Sequence, residues 1–220
     1  MDPFTNPDEL FDVCDSSGRP TGQVKRRADV HRDGDWHRAF HCWILCRLDE
    51  ATNEPALLLQ RRGAGKDTWP LRLDVSVGGH FAAGEALDDV VREVQEEVGI
   101  RVSPESLIPL GRRIAVSEPE AGLHDREIQD VYLWRTALPL ATFHPQPVEV
   151  AALAAVAVAD LLALFSGRQE TAPARTLWPG GTLTAATVRA EEFIPTIDRY
   201  FYRAAIVADL ALRGYPHLAI

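Results

Sequence analysis

Short apolar runs, separated by clusters of glycine, proline, aspartate and serine, recur along most of the chain. Runs of that length bounded by turn residues predict strands. They fall at Leu10–Val13, Gly22–Lys25, Phe40–Leu48, Pro55–Gln60, Leu73–Val77, Leu107–Val116, Asp130–Thr136 and Leu153–Val158. Helical spacing interrupts them. Val90, Val91, Val94 and Val98 recur on one helical face, and Gly99 is suited to stop that helix. Asp160 is placed to cap a short helix, Leu161–Phe165. Ser166–Thr187, rich in glycine, proline and threonine, reads as a loop. Pro195–Arg213 then carries Ile197, Tyr200, Phe201, Ala204, Val207 and Leu210 with the pattern of a long helix. The expected layout is a mixed α/β body over residues 9–165, preceded by a polar tail at 1–8. A loop and helix at 166–220 would pack on that body.

The polar side of the valine helix carries the chemistry. Glu93, Glu96 and Glu97 crowd three carboxylates into five residues. At 3.6 residues per turn, Glu93 and Glu97 stack on one face with Glu96 beside them. Charges of one sign repel at that spacing, and a bound hard cation would offset the repulsion. Magnesium prefers oxygen ligands and keeps positions for water and substrate phosphates. Arg92 is spaced to hold a carboxylate by a charge-assisted hydrogen bond. The competing reading is a solvated acidic face on an ordinary amphipathic helix.

Composition narrows the setting. A formal charge of −9 gives no general electrostatic reason to bind nucleic acid or an anionic membrane. A positive field for phosphates must then come from metal ions and a few basic side chains. No apolar run is long enough to span a bilayer, and the opening MDPFTNPDEL lacks a signal peptide's basic and apolar regions. Cys14, Cys42 and Cys46 lack CxxC spacing and read as buried, reduced thiols. A cytoplasmic location is the expectation.

Gly78-Gly79, then Gly84-Glu85, then Arg92-Glu93-Val94-Gln95-Glu96-Glu97-Val98-Gly99-Ile100 closely resemble, in this order, the signature of the Nudix hydrolases. The resemblance implies an α/β/α sandwich with a mixed β-sheet. It also implies a Mg²⁺-dependent pyrophosphohydrolase, with Mn²⁺ as a substitute, acting on a small-molecule diphosphate. Glu93, Glu96 and Glu97 would hold the metal, with Glu93 as general base and Arg92 positioning the carboxylates. Nudix enzymes often bring a further carboxylate from the opening of a later strand. Glu127 is the candidate here, with Glu118, Glu120 and Asp125 competing. The chain departs from the family pattern at one point: six residues, Ala86 to Val91, separate Glu85 from Arg92, one fewer than usual. Were they helical, Glu85 would turn by about 100° relative to the helix, which leaves its usual supporting role open.

Glu9–Val13, Pro20–Gly22, Val30–Phe40 and Lys66–Pro70 resemble a Nudix subgroup related to the isopentenyl diphosphate isomerases. In those isomerases a cysteine on the strand before the glycine turn takes part in proton transfer. Leu73–His80 has no cysteine here, which favours hydrolysis over isomerisation. His31, His37 and His80 fall near positions where the isomerases hold a metal, and Glu127 near one of their carboxylate ligands. Hydrogen-bonded structural histidines are the default expectation for them. Arg62 and Lys66 emerge after a buried strand and match positions that contact the diphosphate in the isomerases. An arginine would bind it bidentately and a lysine as a point charge; a solvated basic loop is the alternative. Besides the isomerase, a noncatalytic Nudix-fold binding module remains an alternative, and a homodimer is left open.

Overall fold

The computed structural model describes residues 6–66, 68–118 and 124–220. The chain folds around one long strand, β3 (Trp36–Arg47), whose side chains alternate between two apolar layers. Trp43 and Leu45 point to one layer, while Phe40, Cys42, Ile44 and Cys46 point to the other. This period of two is what a sheet covered on both faces requires.

Neighbours assemble on β3 from both sides. The C-terminal half of β3 pairs antiparallel with β4 (Pro55–Arg62), and its N-terminal half with β6 (Val77–His80). On its other edge β3 runs parallel to β8 (Asp125–Pro139), which pairs antiparallel with β7 (Leu107–Ser117). β9 (Val150–Ala157) lies beyond β4, and the hairpin of β1 (Leu10–Cys14) and β2 (Pro20–Arg26) meets the start of β3. β5 (Leu73–Asp74) adds a short pair to β4. The sheet is therefore mixed, as expected.

Helices cover both faces. Leu87–Val90 (α2) and Arg92–Val98 (α3) set Val90, Val94 and Val98 against Phe40, Ile44, Leu58 and Val77. On the opposite face, Val158–Phe165 (α4) and Tyr200–Leu212 (α5) pack Leu161, Phe201, Ala204 and Ala208 over Trp43, Leu57 and Val131. Leu57, Leu58 and Leu59 are all buried, so successive side chains feed alternate layers. Each contributes about 1.5–3 kcal/mol from burial. These layers make the expected α/β/α sandwich. All three cysteines are buried and free. Among the described residues, no helix is long and apolar enough to cross a membrane.

Several elements depart from the sequence reading. The apolar face of Val90, Val91, Val94 and Val98 is divided between α2 and α3, which meet at Val91. α4 begins at Val158, so Asp160 lies inside its first turn and does not cap it. The expected loop at 166–187 contains a hairpin, β10 (Ala172–Leu177) and β11 (Leu183–Val188), which extends the sheet from β9. Gly180 and Gly181 have φ of 87° and 88° at its tip, a left-handed conformation that side chains resist. A short helix, α1 (Arg27–Asp33), which the sequence reading does not include, tucks Val30 and His31 inward. The long C-terminal helix starts at Tyr200, leaving Pro195–Arg199 as a segment along the mouth of a cavity.

Candidate functional site

The acidic helix meets the sheet at the glycine turn, and that contact explains the glycine. A Cβ built at Gly79 would lie 2.6 Å from Cδ of Glu93, inside any tolerable contact. Only a residue without a side chain lets the Glu93 carboxylate lie against β6. One turn on, Glu97 is 1% exposed. Its Oε2 accepts hydrogen bonds from Nε2 of Gln60 and the Gly78 backbone N–H, both at 3.1 Å. Glu93 and Glu97 both point inward, while Glu96 stays half exposed.

Arg92 ties the group together. It donates from Nη1 to Glu85 Oε1 at 2.7 Å and from Nη2 to Glu93 Oε1 at 3.3 Å, and its Nε lies 3.6 Å from Glu96 Oε1. Glu85 is also held by the Ala82 N–H at 2.8 Å. Ala86 has extended backbone, so the missing residue falls where the loop enters the helix. The loop absorbs the shortfall and Glu85 keeps its grip on Arg92.

Electrostatics make this end of the site hungry for positive charge. Burial pushes the Glu93 carboxyl up to about 8, with Arg92 opposing and Glu96, Glu149 and Glu9 adding repulsion. Burial also raises Glu97 well above the carboxylate range, against the pull of Lys66. Glu93 and Glu96 line a cavity of about 840 Å³ together with Arg62, Lys66 and Glu149. Arg62 is held in place: Nη1 donates to Asp74 Oδ2, Nη2 to Thr68 Oγ1 and Nε to Thr68 O, each at 2.9 Å. Lys66 Nζ reaches Glu149 Oε2 at 3.2 Å.

The same cavity holds a second cluster, built by strand pairing. His37 on β3 is in register with Glu127 on β8, and Ala39 with His80 on β6. α1 supplies His31, and Phe11 stacks on both His37 and His80 at centroid distances of 5.3 and 5.1 Å. Ligand atoms of His31, His37, His80 and Asp125 all lie within 4.8 Å of one another.

The proton arrangement in this cluster suits a cation. The Asp35 carbonyl lies 3.2 Å from Nδ1 of His37, so that nitrogen carries the proton and Nε2 is a bare lone pair. It faces Asp125 Oδ1 at 3.7 Å, and His31 Nε2 lies 3.8 Å from the same oxygen. All three atoms are buried without a hydrogen-bond partner among the described residues. Buried acceptors aimed at one point need a cation or a proton between them. Burial, followed by the charge of Glu127, raises Asp125 well above the carboxylate range.

Burial, the largest influence, works against ionisation of Glu127 as well. The His80 hydrogen bond and the electrostatic pull of His80, His37 and His41 together nevertheless hold that carboxyl below its ordinary value. His80 accepts from Arg27 Nη1 at 2.9 Å and donates from Nε2 to Glu127 at 3.0 Å. Burial, then Arg27, pushes His80 down to about 3, and burial does the same to His31, so neither is cationic near neutral pH. His80 is hydrogen-bonded through both ring nitrogens and His37 through Nδ1, as the default expectation has it. The Nε2 atoms of His31 and His37 have no hydrogen-bond partner among the described residues.

A family model for the NUDIX domain matches residues 35–176. The chain belongs to the Nudix family. An uncharacterized Nudix hydrolase from Clostridium acetobutylicum is 36% identical over 155 residues, covering 70% of this chain and 72% of that protein. Nudix hydrolase 3 from Arabidopsis thaliana is 40% identical over 154 residues, 66% of this chain but 19% of that protein. An isopentenyl-diphosphate Delta-isomerase from Paenarthrobacter aurescens is 31% identical over 148 residues, covering 66% and 74%. Among solved structures, a protein from Deinococcus radiodurans matches with a TM-score of 0.51 at 24% identity, covering 72% of this chain and 90% of that one, a likeness of fold.

Sequence reading and structure meet unevenly at the site. Arg62, Lys66, Arg92, Glu93, Glu96 and Glu127 all line the one cavity, with Glu97 buried behind Gly78. Glu127 stands with the histidines and is bonded to His80. Glu118 pairs instead with His124 at 3.2 Å, and Glu120 lies outside the described residues. Asp125 entered only as a competitor of Glu127, and its place among the histidines follows from the parallel pairing of β3 and β8. Arg27 and His41 also line the cavity and were missed. His41 lies in an apolar run that reads simply as a buried strand.

Proposed function

We propose that this Nudix protein is a Mg²⁺-dependent pyrophosphohydrolase that cleaves a phosphoanhydride in a nucleoside diphosphate-linked or similar organic diphosphate. The observation that carries the reading is the pair of buried carboxylates on one helix, Glu93 lining the cavity and Glu97 behind Gly78, both with carboxyls raised by burial. Glu93, Glu96 and Glu97 are the residues that would hold Mg²⁺, or Mn²⁺ in its place. Such an ion, when bound, lowers the pKa of a coordinated water and stabilises charge on phosphate oxygens. Arg62 and Lys66 receive the diphosphate, Arg62 already oriented by Asp74 and Thr68. Arg92 keeps the Glu93 carboxylate turned to the cavity, where it accepts the proton of the attacking water. Glu127 is the reserve for that role. The working environment in this reading is the cytoplasm.

One observation favours a second reading. The unpartnered ring nitrogens of His31 and His37, facing Asp125, suit a transition-metal ion, and isopentenyl-diphosphate isomerases are among the relatives. Against isomerisation, residues 73–80 contain no cysteine. Incubation with nucleotide sugars, nucleoside di- and triphosphates, ADP-ribose and isoprenoid diphosphates, with Mg²⁺ or Mn²⁺, tests both. Release of two phosphorylated fragments, or of phosphate, supports hydrolysis. A rearranged double bond with the diphosphate intact would replace it with the isomerase.

A further inference from the structure

We propose that His41 is a substrate-contacting residue that donates a hydrogen bond from Nε2–H to a phosphate oxygen, in a tautomer fixed by Trp43 and Tyr200. The inference rests on the diphosphate reading above and adds a contact to it. Tyr200 is 1% exposed, and its hydroxyl oxygen lies 3.0 Å from Trp43 Nε1 and 3.0 Å from His41 Nδ1. An indole N–H can only donate, so the tyrosine oxygen accepts there. The buried hydroxyl proton then needs an acceptor of its own, and His41 Nδ1 is the one within reach. With Nδ1 accepting, a neutral imidazole carries its proton on Nε2.

The far edge of the ring reaches the cavity. His41 is in register with Gly78 across β3 and β6, and a Cβ built at Gly78 would sit 3.7 Å from His41 Nε2. Both residues line the cavity with Glu93 and Lys66. Among the described residues Nε2 has no hydrogen-bond partner, yet it is not among the sealed atoms. Burial, against the opposing charges of Glu127 and Asp74, holds His41 below the ordinary imidazole range and so neutral. The Arg113 guanidinium lies 4.2 Å from the Tyr200 ring centroid and is fixed by Asp198 at 2.7 and 3.0 Å. Trp43 and Tyr200 thus act as positioning residues, through which α5 reaches the site.

Histidine-selective ¹H–¹⁵N NMR on the whole protein with Mg²⁺ tests this, using methylenediphosphonate, whose P–C–P link resists hydrolysis. His41 is expected as the Nε2–H tautomer, with its Nε2 signal shifting on addition of the probe. His41→Phe should weaken probe binding roughly 10- to 100-fold, since a hydrogen bond to a charged group supports that range. His41→Gln, whose amide can donate near the Nε2 position, should recover part of it. Tyr200→Phe should let the Nδ1–H tautomer appear and raise the probe's Kd about twofold, as the competent fraction falls. An Nδ1–H tautomer in the free protein would overturn the inference. So would an unmoved His41 signal while the Gly78 and Gly79 amides respond to the probe; the diphosphate reading would survive that result. Failure of the probe to bind at all would overturn both.

Discussion

Glu93→Gln separates the electrostatic claim about the acidic helix from any question of turnover. In the unfolded chain Glu93 ionises near its ordinary 4.5, whereas burial raises the folded value to about 8. Between those values the folded state holds a proton that the unfolded state releases. The contribution to stability is therefore fully present below 4.5, declines as pH rises and is gone above about 8. At 1.36 kcal/mol per pKa unit, the difference amounts to about 5 kcal/mol as an upper bound. Glutamine keeps the shape without the charge, and the difference between the two proteins reports Glu93 together with its repulsion of Glu97. Urea unfolding in EDTA, from about pH 5 to 9, is the assay. The wild type is expected to lose roughly 2–4 kcal/mol relative to Glu93→Gln across that range. Mg²⁺ should restore wild-type stability above neutral pH, by about 2.7 kcal/mol at a hundred times its Kd, and restore little in the variant. Parallel pH profiles with equal Mg²⁺ responses would refute the reasoning.

Other perturbations probe neighbouring parts of the account. Gly79→Ala should drive Glu93 off β6 and cost about 1–3 kcal/mol in urea unfolding, together with most of the Mg²⁺-induced stabilisation; an unchanged Mg²⁺ response would show that this contact is dispensable. Leu58→Ala, in the layer beneath α3, should cost about 2–5 kcal/mol while leaving the metal affinity of the folded protein intact, as titration calorimetry can report. Elemental analysis after dialysis against Zn²⁺ or Mn²⁺ should find metal at the histidine cluster. His37→Ala and Asp125→Asn should each lose it, whereas equal content in all three proteins would contradict a site there.

The parts legible in the sequence are those encoded locally. Val94 and Val98 mark the buried side of the acidic helix and Val90 that of α2, and all three are in the core. The glutamates could be found because helical spacing alone sets which of them share a face. Their burial could not, since it depends on Gly79, Gly78 and Gln60 arriving from two strands. The β10–β11 hairpin was hidden by composition. Its Trp-Pro-Gly-Gly-Thr turn and small side chains average to a loop, although Gly180-Gly181 between β-branched runs is itself a hairpin signal. α1 is short and mostly charged, so its two inward residues, Val30 and His31, make no periodic pattern. The histidine cluster is not local: its residues span positions 31 to 125, brought together by the registers of β3 with β6 and β8 and by α1, which carries His31. His41 shares that difficulty, because the role proposed for it depends on a tyrosine 159 residues away.

Metal-dependent hydrolysis at the acidic helix can be followed by ³¹P NMR on one diphosphate substrate from the screen, with Mg²⁺, in the wild type and in Glu96→Gln and Glu97→Gln. In Glu97→Gln the new amide oxygen can still accept from Gln60 and Gly78, and Glu96 is half exposed, so both variants should stay folded. In the wild type alone, and only when metal is present, the anhydride signal should be replaced by two product phosphates. Turnover at the wild-type rate in both variants, or in EDTA, would contradict it.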